Sequence, residues 1–467
     1  MAKKRLNLNR VPIPKQPPES RIYNFNEVSL GYTDEQAKEE AKRCLRCKDP
    51  GCVSECPISV DIPGFVAAIE EGDLPRAVEI LRANNMLPGV TGRVCPKEVQ
   101  CQHGCILEKK KDGSAVAIGC LERFVADWDL AQRGTQRQEL KPTGKKVAVV
   151  GSGPAGLICA AFLANRGHKV TILEALHTPG GVLVYGIPEF RLPKEIVRSE
   201  IDYIQTLGVD VRLDSVVGRL QQVDELLKEY DAIFLGIGAG APIFLNIPGE
   251  NLSGIYFANE YLTRINLMKA YCFPDYDTPI MTGKHVAVVG GGNVAMDSAR
   301  CALRIGGADK VYGIYRRSEK EMPANREEIE NAKEEGIIFK FLSTPVRFIG
   351  DDHGRLKAVE CIEMELGEPD SSGRRRPVPK KGSEHTIDVD VAILALGTKP
   401  NPLIPMNTPG LETTKHGTIK ADENGRTSKE GVWAGGDIVT GGATVISAIA
   451  AGRRSASDID AWLHGVQ

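Results

Sequence analysis

Seven cysteines fall within residues 44–105, and their spacing limits what this stretch can become. The first run is Cys44-x2-Cys47-x4-Cys52-x3-Cys56, closed by Pro57; the second is Cys95-x5-Cys101-x3-Cys105. The chain starts MAKKRLNLNRVPIPKQPPES, with basic residues but no apolar core behind them, so it does not read as a secretory leader. Cysteines in such a chain are expected in a reducing, cytoplasmic compartment, where clusters of them bind metal more often than they form disulfides. Iron–sulfur clusters need several soft, negative sulfur ligands from compact loops. In two-cluster ferredoxins the last Cys of a run closing as C-x3-C-P ligates the other cluster. By that logic Cys44, Cys47 and Cys52 hold one cluster with Cys105, while Cys56 crosses over to join Cys95 and Cys101. Seven thiolates leave one position open, and Cys120 follows closely enough to fill it by softness. Zinc and disulfides are the competing readings. Zinc ribbons favour paired C-x2-C knuckles, and the cluster region has a single such pair, Cys44–Cys47. The remaining cysteines, Cys159, Cys272, Cys301 and Cys361, are scattered and read as small buried thiols.

Around this region the chain reads as helical. Residues 1–32 form a Pro-rich arm expected to lie extended on a surface. Thr33 with Gln36 fits a capping box opening a helix that delivers Cys44. Residues 61–85 predict two short amphipathic helices, with Phe65 and Ile69 on one and Ala77, Ile80 and Leu81 on the other. A further helix from Ile118 to about Ala131 precedes a polar linker, QRGTQRQELKPTG. A small helical domain pinned by metal is the expectation for residues 1–140.

At residue 145 the pattern changes to strand, glycine turn, helix and strand. Gly151-Ser152-Gly153-Pro154-Ala155-Gly156 is a dinucleotide fingerprint: Gly151 for the tight turn, Gly153 for approach of the pyrophosphate, Gly156 for close helix–strand packing. The pyrophosphate would sit on the helix N-terminus. Glu174, ending the next strand, can accept from an adenosine ribose hydroxyl. A second unit carries Gly290-Gly291-Gly292-Asn293-Val294-Ala295, with Gly290, Gly292, Asn293 and Ala295 at the phosphate turn. Its following strand ends in Tyr315-Arg316-Arg317-Ser318 rather than an acid. Guanidiniums there suit a 2′-phosphate, so Arg316 and Arg317 point to NADPH. A third segment, Gly431 to Asp437, reads as strand, turn and acid, and Thr444-Val445 opens an apolar helix. Gly436 and Asp437 would hold a flavin ribityl chain, and the helix start at Thr444 and Val445 would face the flavin pyrimidine edge. The segment 365–386 is polar and punctuated by Gly and Pro, with a basic run at Arg374, Arg375 and Arg376, and reads as an exposed hairpin tip.

The net charge of −2 gives no global field for nucleic acid or anionic lipid, and no apolar stretch approaches the length of a membrane span. No Ser/His/Asp triad or paired-carboxylate site stands out, so the chemistry is expected to belong to cofactors.

The two cysteine runs together with GSGPAG, GGGNVAMD, YRRSEKEMPA, ALGTKPN and GVWAGGD resemble, over nearly the whole chain, the small (beta) subunit family of glutamate synthase. That family includes the N-terminal half of dihydropyrimidine dehydrogenase and the large subunit of NADH-dependent ferredoxin:NADP oxidoreductase. The resemblance implies an α/β fold with a helical iron–sulfur domain, and an NADPH domain inserted into an FAD domain. The expected divisions are 1–140 for the clusters, 141–280 and 396–467 for FAD, and 281–395 for NADPH. One FAD, an NADPH site and two 4Fe–4S clusters are implied. So are the ligand sets Cys44, Cys47, Cys52 and Cys105, and Cys56, Cys95, Cys101 and Glu122, the last from the IGxLE motif. Cys120 departs from the family pattern and keeps the eighth ligand open. The resemblance further implies a second redox subunit in a hetero-oligomer. It would be either an FMN and iron–sulfur large subunit that makes glutamate, or a small flavin subunit plus ferredoxin in a bifurcating enzyme. IGCLERFVADW lies somewhat closer to the second branch. A redox sensor without turnover is the remaining reading.

Overall fold

The computed structural model describes residues 7–132, 140–370 and 373–465. The basic residues at 3–5 and most of the expected linker, 133–139, lie outside the described residues, as do 371–372 of the segment expected to form a hairpin tip.

The N-terminal part is helical, as the apolar spacing requires. Helix α1 (Asp34–Ala41) opens on the Thr33/Gln36 capping box. Helices α2 (Ile62–Glu71) and α3 (Leu74–Arg82) start on Asp61 and Asp73, whose carboxylates accept from Gly64 N and Arg76 N. They bury Phe65, Ile69, Ala77 and Leu81. Helix α4 (Pro88–Val94) lies against α5 (Ile118–Gln132) at very short range. A Cβ on Gly92 would stand 2.7 Å from Arg123 N, so only glycine permits the approach. The arm is not simply extended. It doubles back around a helical turn at Pro18–Arg21, with Gln16 N donating to Val28 O at 2.9 Å and Leu30 N to Pro14 O at 2.8 Å. Its Arg21 is buried, because its guanidinium reaches Glu335 at 2.7 Å and Glu334 at 2.9 Å in the distant nucleotide unit.

The next unit runs β1 (Lys146–Val150), α6 (Pro154–Ala164), β2 (Lys169–Leu173), α7 (Lys194–Thr206), β3 (Asp210–Arg212) and β4 (Ala232–Leu235). The chain then enters a second unit: β5 (Ile255–Phe257), α8 (Ala258–Asn266), β6 (His285–Val289), α9 (Asn293–Ile305), β7 (Lys310–Tyr315), α10 (Arg326–Glu334) and β8 (Ile338–Phe341). Strands β9 (Ser343–Gly350), β10 (Leu356–Pro369), β11 (Arg375–Pro379) and β12 (His385–Asp388) form an antiparallel sheet. Strand β10 turns into β11 at the basic segment, the hairpin expected there. Strand β13 (Val391–Leu394) returns to the second parallel sheet. Strand β14 (Val432–Ala434) and helix α11 (Val445–Leu463) return to the first unit.

The two parallel sheets have the same plan. The first is ordered β14–β4–β1–β2–β3, the second β5–β13–β6–β7–β8. After their first residues, Lys146 and His285, the central strands β1 and β6 are apolar and buried, as strands covered on both faces must be. Strand β14 joins the first sheet only after the whole second unit, so the second is inserted into the first. The second sheet takes its edge strand from Ile255–Phe257, ahead of residue 281; three residues with no fingerprint leave little to read in sequence. No helix among the described residues is long and apolar enough to cross a membrane.

Candidate functional site

The two cysteine runs meet backbone to backbone. A Cβ on Gly51 would stand 2.6 Å from Gly104 O, and one on Gly104 would stand 2.3 Å from Gly51 O. The loops therefore cross beside Cys52 and Cys105. Electrostatics sorts the cysteines into two groups. Burial pushes the Cys52 thiol up to about 12, with Cys44, Cys105 and Cys47 adding to it. Burial also raises Cys95, with Glu122, Cys101 and Cys56 pushing the same way and Lys97 opposing. Cys101 is raised by burial, then by Glu122 and Cys56, with Lys97 opposing and Cys52 of the other set adding least. Cys56, Cys95, Cys101 and Glu122 line one recess.

Cys120 does not join them. Residues two apart on an α-helix point about 200° away from each other, so α5 can present either Cys120 or Glu122 to the recess. It presents Glu122. The charges felt by Cys120 are those of Lys97, Glu327, Arg10 and Arg123, none of them a cluster cysteine. Glu122 Oε1 accepts from Thr91 Oγ1 at 2.6 Å and from Asn85 Nδ2 at 2.9 Å. Burial still pushes its carboxyl up to about 7, against the lowering by Thr91, Lys97 and Asn85. Buried thiols and a buried carboxyl of raised pKa are poor anions until a cation compensates them, which is what a metal group does.

The size of the groups separates the metals. Four thiolates around one zinc at 2.3 Å stand about 3.8 Å apart. Among the described residues no three cluster-region ligands come within 4.8 Å of one another; the single group that does is His168, Asp460 and His464. That carboxylate already holds the Arg166 guanidinium at 3.1 Å. No described cysteine is in a disulfide. The described cysteines are therefore not drawn together around a single ion, and the donor set of soft sulfurs fits iron–sulfur clusters.

Both glycine turns have cofactor geometry. Gly151 has φ +94°, and a Cβ there would meet Gly236 O at 2.7 Å. A Cβ on Gly156 would meet Gly151 O at 2.0 Å, whereas on Gly153 the nearest atom is 4.0 Å away. The space beside Gly153 lies at the N-terminus of α6, where free N–H groups favour a diphosphate. Glu174 turns its carboxylate onto this loop: Ser152 N and Oγ donate to Oε2, and Leu176 N donates to Oε1 at 2.8 Å. Tyr185 is pushed up to about 12 by burial, then by the charges of Asp437 and Glu174. Asp437 Oδ1 accepts from Ala443 N at 3.2 Å, and Thr444 caps α11 through Ser447 N. Helix α11 rests on α6 because residue 452 is glycine; a Cβ there would meet Ala155 O at 2.2 Å. Gly436 likewise faces Ala155. The crevice is at the carboxyl ends of the strands, beside the central β1 where the order reverses. Ile446, in the first turn of α11, also lines the recess of Cys56, Cys95 and Cys101.

In the second unit Gly290 has φ +146°, and around Gly292 the nearest atom to a Cβ is 3.9 Å away. Asn293 Oδ1 accepts from Asn325 N at 2.9 Å, tying the turn to the loop after β7. Ala295 is buried in the core. The two arginines part company. Arg316 is exposed, whereas Arg317 is buried, donating to Asp370 Oδ2 and Arg375 O, each at 2.7 Å. Arg317 holds the hairpin; Arg316 is the guanidinium facing outward at the strand end.

Sequence reasoning passed over three residues, two of which join the parts. Arg191 binds both oxygens of Asp297 on α9, at 2.9 and 2.7 Å, from the loop after β2. Arg453 on α11 donates to Ile58 O at 2.6 Å and Asn84 Oδ1 at 2.7 Å, clamping the loop that follows Cys56. Lys97 lines the recess of Cys95. None sits in a motif with a chemistry of its own.

Comparison with known proteins agrees with this architecture. Residues 21–134 match the family described as dihydropyrimidine dehydrogenase domain II, 4Fe-4S cluster, and residues 145–452 match pyridine nucleotide-disulphide oxidoreductase. The chain is 38% identical to the glutamate synthase [NADPH] small chain of Escherichia coli, over 98% of each. It is 40% identical to the NADP(+)-dependent formate dehydrogenase subunit beta of Moorella thermoacetica, over 88% of this chain and 60% of that one. Among solved structures, Mycobacterium tuberculosis FprA in complex with NADPH is similar in fold, with a TM-score of 0.57 at 21% identity, covering 70% of this chain and 87% of that one. Lactococcus lactis thioredoxin reductase has a TM-score of 0.52 at 20% identity, over 69% and 99%. A helical 4Fe–4S domain joined to an interrupted nucleotide fold, matched from end to end, places this chain in the glutamate synthase small-chain family.

Proposed function

We propose that the chain is the electron-input subunit of an oxidoreductase, taking electrons from NADPH and passing them to a partner subunit. When bound, FAD would accept a hydride from NADPH and release electrons singly to two 4Fe–4S clusters. The observation that carries this reading is the shared wall at Ile446, which belongs both to the helix of the flavin crevice and to the recess of Cys56, Cys95, Cys101 and Glu122. The turn at Gly151, Gly153 and Gly156 would admit the FAD diphosphate, Glu174 would take its ribose and Asp437 its ribityl chain. Gly290, Gly292 and Asn293 would admit the NADPH diphosphate. Arg316 would pair with the 2′-phosphate. Cys44, Cys47, Cys52 and Cys105 would hold the second cluster; Leu45 and Ile106 beside them are exposed, as an exit toward a partner requires.

The test is anaerobic titration of the flavin-loaded protein with NADPH and NADH. The expected result is reduction by NADPH, with Arg316→Glu weakening NADPH by about tenfold or more, one charged contact's worth, and leaving NADH nearly unchanged. Equal losses for both nucleotides would refute the NADPH assignment. NADPH oxidation that depends on glutamine and 2-oxoglutarate, after addition of a glutamate synthase large subunit, would identify the partner.

A further inference from the structure

The recess that gathers Cys56, Cys95, Cys101 and Glu122 has one basic wall. Lys97, in the same loop as Cys95 and Cys101, lines it. Two features fix that side chain. Its Nζ donates to Gly92 O at 2.7 Å, at the end of α4. Its stem lies along α5 at residue 119, where a Cβ would stand 2.1 Å from Lys97 Cε and 2.3 Å from Cδ. The glycine of IGCLE thus leaves the groove through which the lysine passes. The ammonium opposes the negative charge of Cys95, Cys101 and Glu122 alike. Its charge also acts on Glu327, which is paired with Lys15 at 3.0 Å.

Three thiolates and a carboxylate make a strongly anionic ligand set, and adding an electron to it in a low-dielectric recess is opposed by that charge. A cation held against the ligands offsets the opposition. We propose that Lys97 is a built-in counter-charge that raises the reduction potential of the cluster held by Cys56, Cys95, Cys101 and Glu122, making it the better acceptor for electrons leaving the flavin crevice. It acts through its field and ligates nothing. The inference rests on the cluster reading above.

Anaerobically purified wild-type, Lys97→Met, Lys97→Arg and Glu327→Gln proteins are first assayed for iron and acid-labile sulfide, then titrated potentiometrically with EPR detection. In Lys97→Met the midpoint of one cluster is expected to move negative while the other stays in place. Lys97→Arg is expected to stay near wild type. Glu327→Gln, removing an anion on which the ammonium's charge also acts, is expected to move the same cluster positive. Iron-loaded Lys97→Met with both midpoints unchanged would overturn the proposal, as would equal shifts in the Met and Arg variants. Should Lys97→Met lose its iron, Glu327→Gln decides, and the absence of a positive shift overturns it. A wild-type protein without iron would instead defeat the cluster reading.

Discussion

Cys120 and Glu122 stand two residues apart on one helix, and helical geometry lets only one of them face the cysteines. The residue facing in is the chemically less obvious one. Glu122 is aimed by Thr91 and Asn85, which take one of its oxygens and leave the other directed elsewhere. Glu122→Ala is expected to remove one cluster, about half of the protein-bound iron if the two clusters are alike, while Cys120→Ser keeps the wild-type iron content. Iron analysis of the two purified variants checks this, and the reverse outcome would make Cys120 the ligand. Softness alone favours a thiol, so the carboxylate was legible only through the family motif. Arg317 shows another limit. Side by side, Arg316 and Arg317 read as one phosphate clamp, but Arg317 is taken by Asp370, a pairing across 53 positions of sequence that no local pattern announces.

At the scale of elements, glycines decide which parts touch. The crossing of the cysteine loops rests on Gly51 and Gly104, the seat of α4 on α5 rests on Gly92, and the seat of α11 on α6 rests on Gly452. Gly452→Val would drive a branched side chain into the Ala155 carbonyl, with nothing flexible to yield. It is expected to displace α11 and its cap at Thr444, and the protein should be recovered with little or no flavin. Flavin absorbance per mole of purified protein measures this; full occupancy would show that α11 does not form the flavin crevice. The two strand–turn–helix units were readable because apolar strands and glycine turns recur at fixed offsets. The capping box at Thr33 was readable for the same local reason. The edge strand Ile255–Phe257 was not, being short and defined only by its pairing with β13. The arm was read as extended because its prolines argue for that, and they do not disclose that Arg21 anchors it elsewhere.

Across the whole molecule, buried charge joins the parts. Arg21 of the arm meets Arg300 and Arg304 of α9 on the single carboxylate of Glu335. Burial alone would raise Glu335, but the hydrogen bonds and charges of Arg304 and Arg300 hold it down to about 2. Arg191 joins the flavin unit to the inserted unit, and Arg453 joins it to the cysteine loops. The ion pairs at Glu335 and Asp297 are costly to break singly, because a buried charge would be left alone. These ties hold the flavin crevice against the recess of Cys56, Cys95, Cys101 and Glu122, and that adjacency is the centre of the account. It is tested most directly by metal, sulfide and flavin analysis of the protein purified without oxygen, followed by EPR after reduction. About eight iron and eight sulfide per FAD, with two interacting paramagnetic centres, is the expected result. Stoichiometric zinc, or bound flavin with no paramagnetic centre on reduction, would contradict it.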